Sequence, residues 1–240
     1  MARLSTSETK PERLGSTDFG LALLAFASGS SDVMALLLLG NIFTSAMTGN
    51  MALLAIAVGQ GRFVSALLSL LALVGFVFGV ALATAVYDPR MGDARRVLRP
   101  LFTLEITCLA AFAAAWSFVD RSVESLGLDL LIVLSATAMG IQGVIARHVN
   151  APGINTIVFT STLVSIVMSV AGALTRPALH PPVRISTARQ VGIFVAYGLG
   201  GLCAAFVAWH AVDLIQWIPL LAVIGAIGCC ELAGRERKFR

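Results

Sequence analysis

The chain has 240 residues, 58% of them hydrophobic and 12% charged, with a formal net charge of +4 and a mean hydropathy of +0.89. A soluble domain carries roughly 25% charged residues, so this chain has too little polar side chain to cover a surface facing water. The bilayer is its solvent. The basic residues lie in short loops and tails without interleaved aromatics, which excludes a nucleic-acid-binding surface.

Residues 1–16 are polar and read as a disordered cytoplasmic tail carrying Arg3, Lys10 and Arg13. The first apolar run covers 17–40. Ala25-Phe26-Ala27 ahead of Ser28 resembles a signal-peptidase site, but the apolar core before it is short and its leader is long and contains acids. The segment therefore reads as a retained span. Within it, Asp32 lies about 21 Å along a helix, near the middle of a roughly 30 Å hydrocarbon core. An acid there costs about 2.5–3.5 kcal/mol, so it must face a cavity or a partner, or be protonated. It fits two roles: orienting a solute or coupling a proton, and capping a broken helix or bonding the Thr-rich stretch that follows. Arg147 lies too near a membrane face to be its partner.

Segment 41–61 is irregular, and only 50–58 is a clean apolar helix, about half of the roughly 20 residues a span needs. Residues 62–87 form a strong span. A basic loop follows with Arg90, Arg95, Arg96 and Arg99, then a span at 100–119 interrupted by Glu105. Glu105 reads as lying about one turn inside the cytoplasmic face, where its side chain would snorkel to water. After a short, nearly neutral loop comes a span at 128–146, ending at Arg147-His148. Segment 151–174 is again irregular before a short apolar helix from Thr162. A polar loop with Arg176, His180, Arg184 and Arg189 leads to spans at 191–209 and 214–234 and a basic cytoplasmic tail, 235–240.

Little in this order points to catalysis. Cys108, Cys203, Cys229 and Cys230 fall in apolar runs without CxxC spacing, and His148, His180 and His210 show no HxxxH or HExxH pattern. Neither metal nor other cofactor is expected. No nucleophile–base pair, phosphate-binding loop or dinucleotide fingerprint supports an enzyme. Trp116, Trp209 and Trp217 stand near span ends, as an interfacial belt requires.

The chain repeats itself. With Gly29 set on Gly140, Ser31 falls on Gln142 and Asp32 on Gly143, and Thr44 and Thr48 fall on Thr156 and Thr160 after one inserted residue. The halves 17–120 and 128–234 share one order: glycine-broken span, Thr-xxx-Thr segment, short helix, span, span. Internal repeats of this kind are common in transporters. The expected fold is an all-α polytopic membrane protein with about six transmembrane helices and two short re-entrant half-helices in two inverted repeats. The alternative is eight crossings in two parallel repeats. Six crossings leave only Arg62 and Arg121 of the 17 Lys and Arg residues outside. The positive-inside rule therefore favours that arrangement, with both termini cytoplasmic.

In that topology the N-termini of the two short helices, near Asn50 and Thr162, meet close to the midplane. Unpaired N–H groups there favour an anionic or strongly hydrogen-bond-accepting ligand. The expected solute-binding residues are Asp32, Thr44, Thr48, Gly49, Asn50, Gln142, Thr156, Thr160, Ser161 and Thr162. The plainer account is that Thr, Ser and Gly here pack and cap helices.

Gly29-Ser30-Ser31-Asp32, Phe43 and Thr48-Gly49-Asn50, followed by Met139-Gly140-Ile141-Gln142 and Thr160, resemble the YoaK-like bacterial integral membrane family over roughly 18–234. The resemblance implies a permease of undefined substrate and supplies no chemistry. One departure stands out: the family's second half tends to read Thr-Gly where this chain has Thr160-Ser161, so the two half-sites need not be equivalent. The expected function is a permease or channel for a small polar, perhaps anionic, solute. The alternative is a non-transport scaffold or sensor acting through protein partners. The lipid bilayer is the expected surrounding partner, and Gly198, Gly200 and Gly201 permit close helix contact within a chain or between copies in a homo-oligomer.

Overall fold

The computed structural model describes residues 15–88, 90, 94–122, 125–149, 159–175 and 185–238. Among these, eight α-helices follow in order: α1 Ser16–Leu38, α2 Met47–Gly59, α3 Phe63–Val86, α4 Ala94–Trp116, α5 Leu126–His148, α6 Phe159–Thr175, α7 Ile185–His210 and α8 Trp217–Lys238. Six segments are long and apolar enough to cross a membrane: α1, α3, α5, and most of α4, α7 and α8. The other two, α2 and α6, are the short apolar helices. This is the six-plus-two arrangement of an all-α polytopic membrane protein. The helices overrun the sequence-based limits: α4 begins at Ala94, and α8 runs to Lys238, past residue 234. Residues 1–14 of the expected tail lie outside the described residues.

Contacts along the helices fix their directions. Gln142 Nε2 donates to the Leu24 carbonyl and to Ser28 Oγ, while Leu128, at the other end of α5, lies by Gly40 just beyond α1. Hence α1 and α5 run antiparallel. The Arg189–Asp18 ion pair, the Gly29–Tyr197 contact and the Val33–Gly201 contact advance together, so α1 and α7 are parallel. Gly75 against Val133, Gly79 against Thr137 and Tyr87 on His148 make α3 and α5 parallel likewise. It follows that α1 and α3 are antiparallel. Segment 39–62 therefore leaves and returns at one end of the bundle, as Gly40 beside Leu68 confirms. By the same reasoning, α5 ends and α7 starts at the opposite end, where Val149 packs with Leu21, Ala25 and Ile193. Eight crossings in parallel repeats would need α1 and α3 to be parallel, and they are not.

The packing has an exchange pattern. Helix α1 packs along α7 and α8, α5 packs along α3 and α4, α2 lies on α3, α6 lies on α7, and α4 meets α8. Each parallel pair is drawn together by two glycines. A Cβ on Gly29 would run into the Tyr197 carbonyl, and one on Gly200 into that of Phe26. On the other side, a Cβ on Gly79 would meet the Thr137 carbonyl and one on Gly140 that of Phe76. Without a hydrophobic force between helices in lipid, such backbone approach is what lets them associate.

The loop between α4 and α5 is closed by its own polar groups. Asp120 accepts from Ser122 N–H at 3.0 Å and Ser122 Oγ–H at 2.7 Å, which holds its carboxyl below the usual carboxylate range. Ser125 Oγ accepts from Leu128 N–H at 3.1 Å and caps α5. Trp116, Trp209 and Trp217 all fall at this end of the bundle. Trp209 is exposed, whereas Trp116 is turned inward against Phe112 with Arg121 stacked over it at 4.5 Å.

The glycine contacts predict a position-specific cost. Gly79→Ala and Gly200→Ala should each destabilise the protein by about 1–3 kcal/mol through overpacking. Gly198→Ala, with open space where the Cβ would sit, should be neutral or mildly stabilising. Thermal unfolding in detergent micelles measures all three, and equal midpoints for Gly79→Ala and Gly198→Ala would remove the close-approach argument.

Candidate functional site

The chain leaves α1 through Gly40 and Asn41, both left-handed, with φ of 82° and 59°. Left-handed geometry is cheap for glycine and tolerable for asparagine, so these two residues end the helix and reverse the chain. Residues 42–46 then run back beside α1 until Thr44 and Ser45 reach Asp32, about 9 Å inward from the end of the helix. The chain turns again and leaves as α2, packed on α3. It is extended on the way in and helical on the way out.

An extended segment at that depth has backbone groups that lipid cannot satisfy. Two buried side chains satisfy them. Asp32 is 1% exposed, and its Oδ1 accepts from the N–H groups of Thr44 at 2.8 Å and Ser45 at 2.7 Å. Its Oδ2 accepts from Ser45 Oγ–H at 2.6 Å and from the Tyr197 hydroxyl at 2.8 Å. Asn50, fully buried, binds Phe43 at both backbone groups: Oδ1 accepts from Phe43 N–H at 2.8 Å and Nδ2 donates to Phe43 O at 2.5 Å. Gly49 makes room for the Phe43 ring, which a Cβ would approach to 2.8 Å. Of the two roles that fit Asp32, the structure displays the second: it bonds the Thr-rich segment. It also sits nearer the C-terminal end of α1 than the midpoint inferred from hydropathy, about 24 Å from the start and 9 Å from the end.

Other polar groups are left open. Ser31 Oγ, Thr44 Oγ1, Ser135 Oγ and Gln142 Oε1 are buried with no hydrogen-bond partner among the described residues. Residues 24, 28, 31 and 35 form the α1 stripe that carries the contacts to Gln142. Residues 128, 131, 135, 139 and 142 form the answering stripe of α5. Ser31 and Ser135 therefore stand at the same level on facing sides of the antiparallel pair, and Thr44 is held one residue from Ser31 by its bond to Asp32.

The second half-site is only partly described. Thr156 and the side chain of Ser161 lie outside the described residues. Thr160 is exposed and Thr162 is buried at the start of α6. Further along, Ser169 Oγ and Thr187 Oγ1 lie 2.9 Å apart and tie α6 to α7. In the first half Thr48 is exposed, two residues before the buried Asn50 and on the other side of α2.

The model of the family described as "Protein of unknown function (DUF1275)" matches residues 20–229. The chain belongs to this family. It is 31% identical over 216 residues to the UPF0700 transmembrane protein YoaK of Bacillus subtilis (strain 168), an alignment spanning 88% of this chain and 93% of that one. No solved structure matches. With six long apolar helices and a transmembrane relative, this DUF1275 member is a multi-pass membrane protein whose surroundings are lipid.

Sequence reasoning missed two of the groups that hold Asp32. Ser45 was hidden among neighbouring Thr and Ser residues. Tyr197 had a readable signal: it is one of only two tyrosines in the chain, and it lies at the centre of a span, where a buried hydroxyl needs a partner. Glu105 was misjudged. It does not snorkel, being 0% exposed at the midpoint of α4 with both carboxyl oxygens unpartnered among the described residues.

Asp32→Ala should cost about 3 kcal/mol or more, because the buried N–H groups of Thr44 and Ser45 lose their acceptor at about 1–3 kcal/mol each. Tyr197→Phe, which removes one of four donors, should cost about 1.5 kcal/mol. Unfolding midpoints and protease resistance of segment 39–46 report both changes. Wild-type stability in Asp32→Ala would show that the carboxyl does not hold the segment.

Proposed function

We propose that this protein is a permease or channel for a small polar solute, built from two inverted halves whose central crossing carries the solute contacts. The supporting observation is the set of unpartnered buried oxygens at the α1–α5 crossing: Ser31 Oγ, Thr44 Oγ1, Ser135 Oγ and Gln142 Oε1. Buried polar groups are almost always hydrogen-bonded, and several orphans spread over about three turns of one helix crossing point to a ligand or a hydrated path. The antiparallel α1 and α5, the exchange pattern of packing and the two short helices support the inverted-repeat reading.

In this reading Thr44 and Gln142 contact the solute. Asp32 and Asn50 are positioning residues, because their polar atoms are spent on the backbone of 43–45. Gly49 seats Phe43, and Thr48 stands at the start of α2. The second half-helix contributes Thr160 and Thr162. The charge at the site also bears on the solute class. A carboxylate beside the start of α2 offsets the positive end of that helix, which favours a neutral solute over an anion in the first half. The protein would sit in a bacterial inner membrane. Among the described residues, Arg90, Arg96, Arg99, Arg147 and Arg189 gather at one end of the bundle and only Arg62 and Arg121 at the other, and this bias supports a cytoplasmic basic end with both termini on that side.

Purified protein in liposomes should pass small neutral polar solutes, and small anions more slowly. Ser135→Val and Gln142→Leu should each reduce uptake about fivefold, the loss of a hydrogen bond of about 1 kcal/mol. In a background with its four cysteines replaced, Ser31→Cys and Ser135→Cys should react with small polar thiol reagents. Both positions inert to thiol reagents, with no solute flux, would overturn the reading in favour of a packed scaffold.

A further inference from the structure

We propose that Glu105 binds a monovalent cation, a proton or a sodium ion, and couples it to solute movement; the coupling rests on the transport reading above. Glu105 is the midpoint of Ala94–Trp116, about 16 Å from either end, which is further than its side chain can reach to water. It interrupts a continuous buried stripe, with Leu98, Leu101 and Phe102 before it and Leu109 and Phe112 after it. Both of its oxygens are buried without a partner among the described residues.

The charged and titratable groups on the surrounding helices are few and mostly engaged. Arg99, about 9 Å down α4, is taken by Glu231 of α8, to which its Nε and Nη2 donate at 3.0 and 2.8 Å. On α1, Asp32 is occupied by four donors. On α3, Tyr87 stacks on His148 of α5. Cys108 of α4 and Cys230 of α8 are free thiols. An ionised carboxyl only accepts hydrogen bonds, so it requires a positive or donating guest.

Gln142 of α5 stands at the same level. Leu101 shares a core cluster with Ile145, and Phe112 shares one with Leu131, so the antiparallel α4 and α5 bring Glu105 level with about residues 138–141 of α5. Gln142 follows that turn directly, and its Oε1 is itself unpartnered. Two oxygen acceptors at one depth, in apolar surroundings, suit a small hard cation. Gln142 is also a proposed solute contact, so a cation shared between it and Glu105 would link the two sites.

The test uses full-length protein in lipid vesicles and dicyclohexylcarbodiimide, a membrane-soluble reagent that adds to protonated carboxyl groups. Peptide mass spectrometry should find the adduct on Glu105, and Glu105→Gln should lack it while unfolding at or above the wild-type temperature. If the guest is a proton, labelling should fall about tenfold per pH unit on the alkaline side and ignore sodium. If it is sodium, sodium chloride should protect at fixed pH and choline chloride should not. No adduct on Glu105, or an adduct indifferent to both conditions, overturns the site. Solute uptake by Glu105→Gln that keeps the wild-type response to pH and sodium overturns the coupling. A cation-sensitive adduct in protein that moves no solute retains the site and overturns the transport reading.

Discussion

A chain that turns back inside a hydrocarbon slab must find partners for its own amides, and here Asp32 and Asn50 supply them. Between them they engage the N–H groups of Phe43, Thr44 and Ser45 and the Phe43 carbonyl. Remove these bonds and segment 39–46 carries bare backbone at a depth where water cannot compensate. The acid is tolerated there for the same reason: four donors replace the hydration it has lost. One interaction thus answers two costs, that of a buried charge and that of a broken helix.

The hydroxyl of Tyr197 extends this arrangement across the molecule. Tyr197 belongs to α7, in the second half of the chain, yet it completes the carboxylate that organises the first half. It reaches Asp32 because Gly29 and Gly200 let α1 and α7 approach at backbone distance. Shape and polarity are therefore coupled. The glycines set the helix separation, the separation brings the hydroxyl to the acid, and the acid fixes the re-entrant segment. On the opposite side Gly79 and Gly140 draw α3 and α5 together in the same way, but Gly143 stands where an acid would. The two sides share a scaffold and differ in chemistry.

This asymmetry bears on the proposed function. The short helices lie on the outside of α3 and α7, with much of their length exposed to lipid, while the unpartnered oxygens of Ser31, Thr44, Ser135 and Gln142 lie on α1, α5 and the returning segment. The chemistry proposed for transport is thus carried mainly by side chains at the crossing of the halves, and the half-helix ends serve to deliver Thr44 to it. Hydroxyl and amide groups of this kind suit a neutral polar solute, with Glu105 set apart on α4 for a cation.

Composition, the periodic return of apolar runs and the placement of arginines were enough to specify an all-helical membrane protein with six long and two short helices, because hydrocarbon permits few alternatives. The depth and irregularity of Gly29–Asn50 were also legible, since glycine, threonine and an acid are conspicuous in an apolar run. What each polar residue does was not legible. Asp32 and Asn50 look like ligand-binding groups in sequence, and only the returning backbone reveals that their oxygens are already in use. Glu105 looked like a residue near the water, because apolar runs alone start the span at residue 100, whereas α4 begins at Ala94 and puts Glu105 at its centre. Ser135 looked like ordinary helix packing until the antiparallel α1 set it level with Ser31. Hydropathy is a sum along the chain and needs no tertiary information. Hydrogen-bond occupancy depends on which distant segment arrives at each side chain, and only the packed structure decides that.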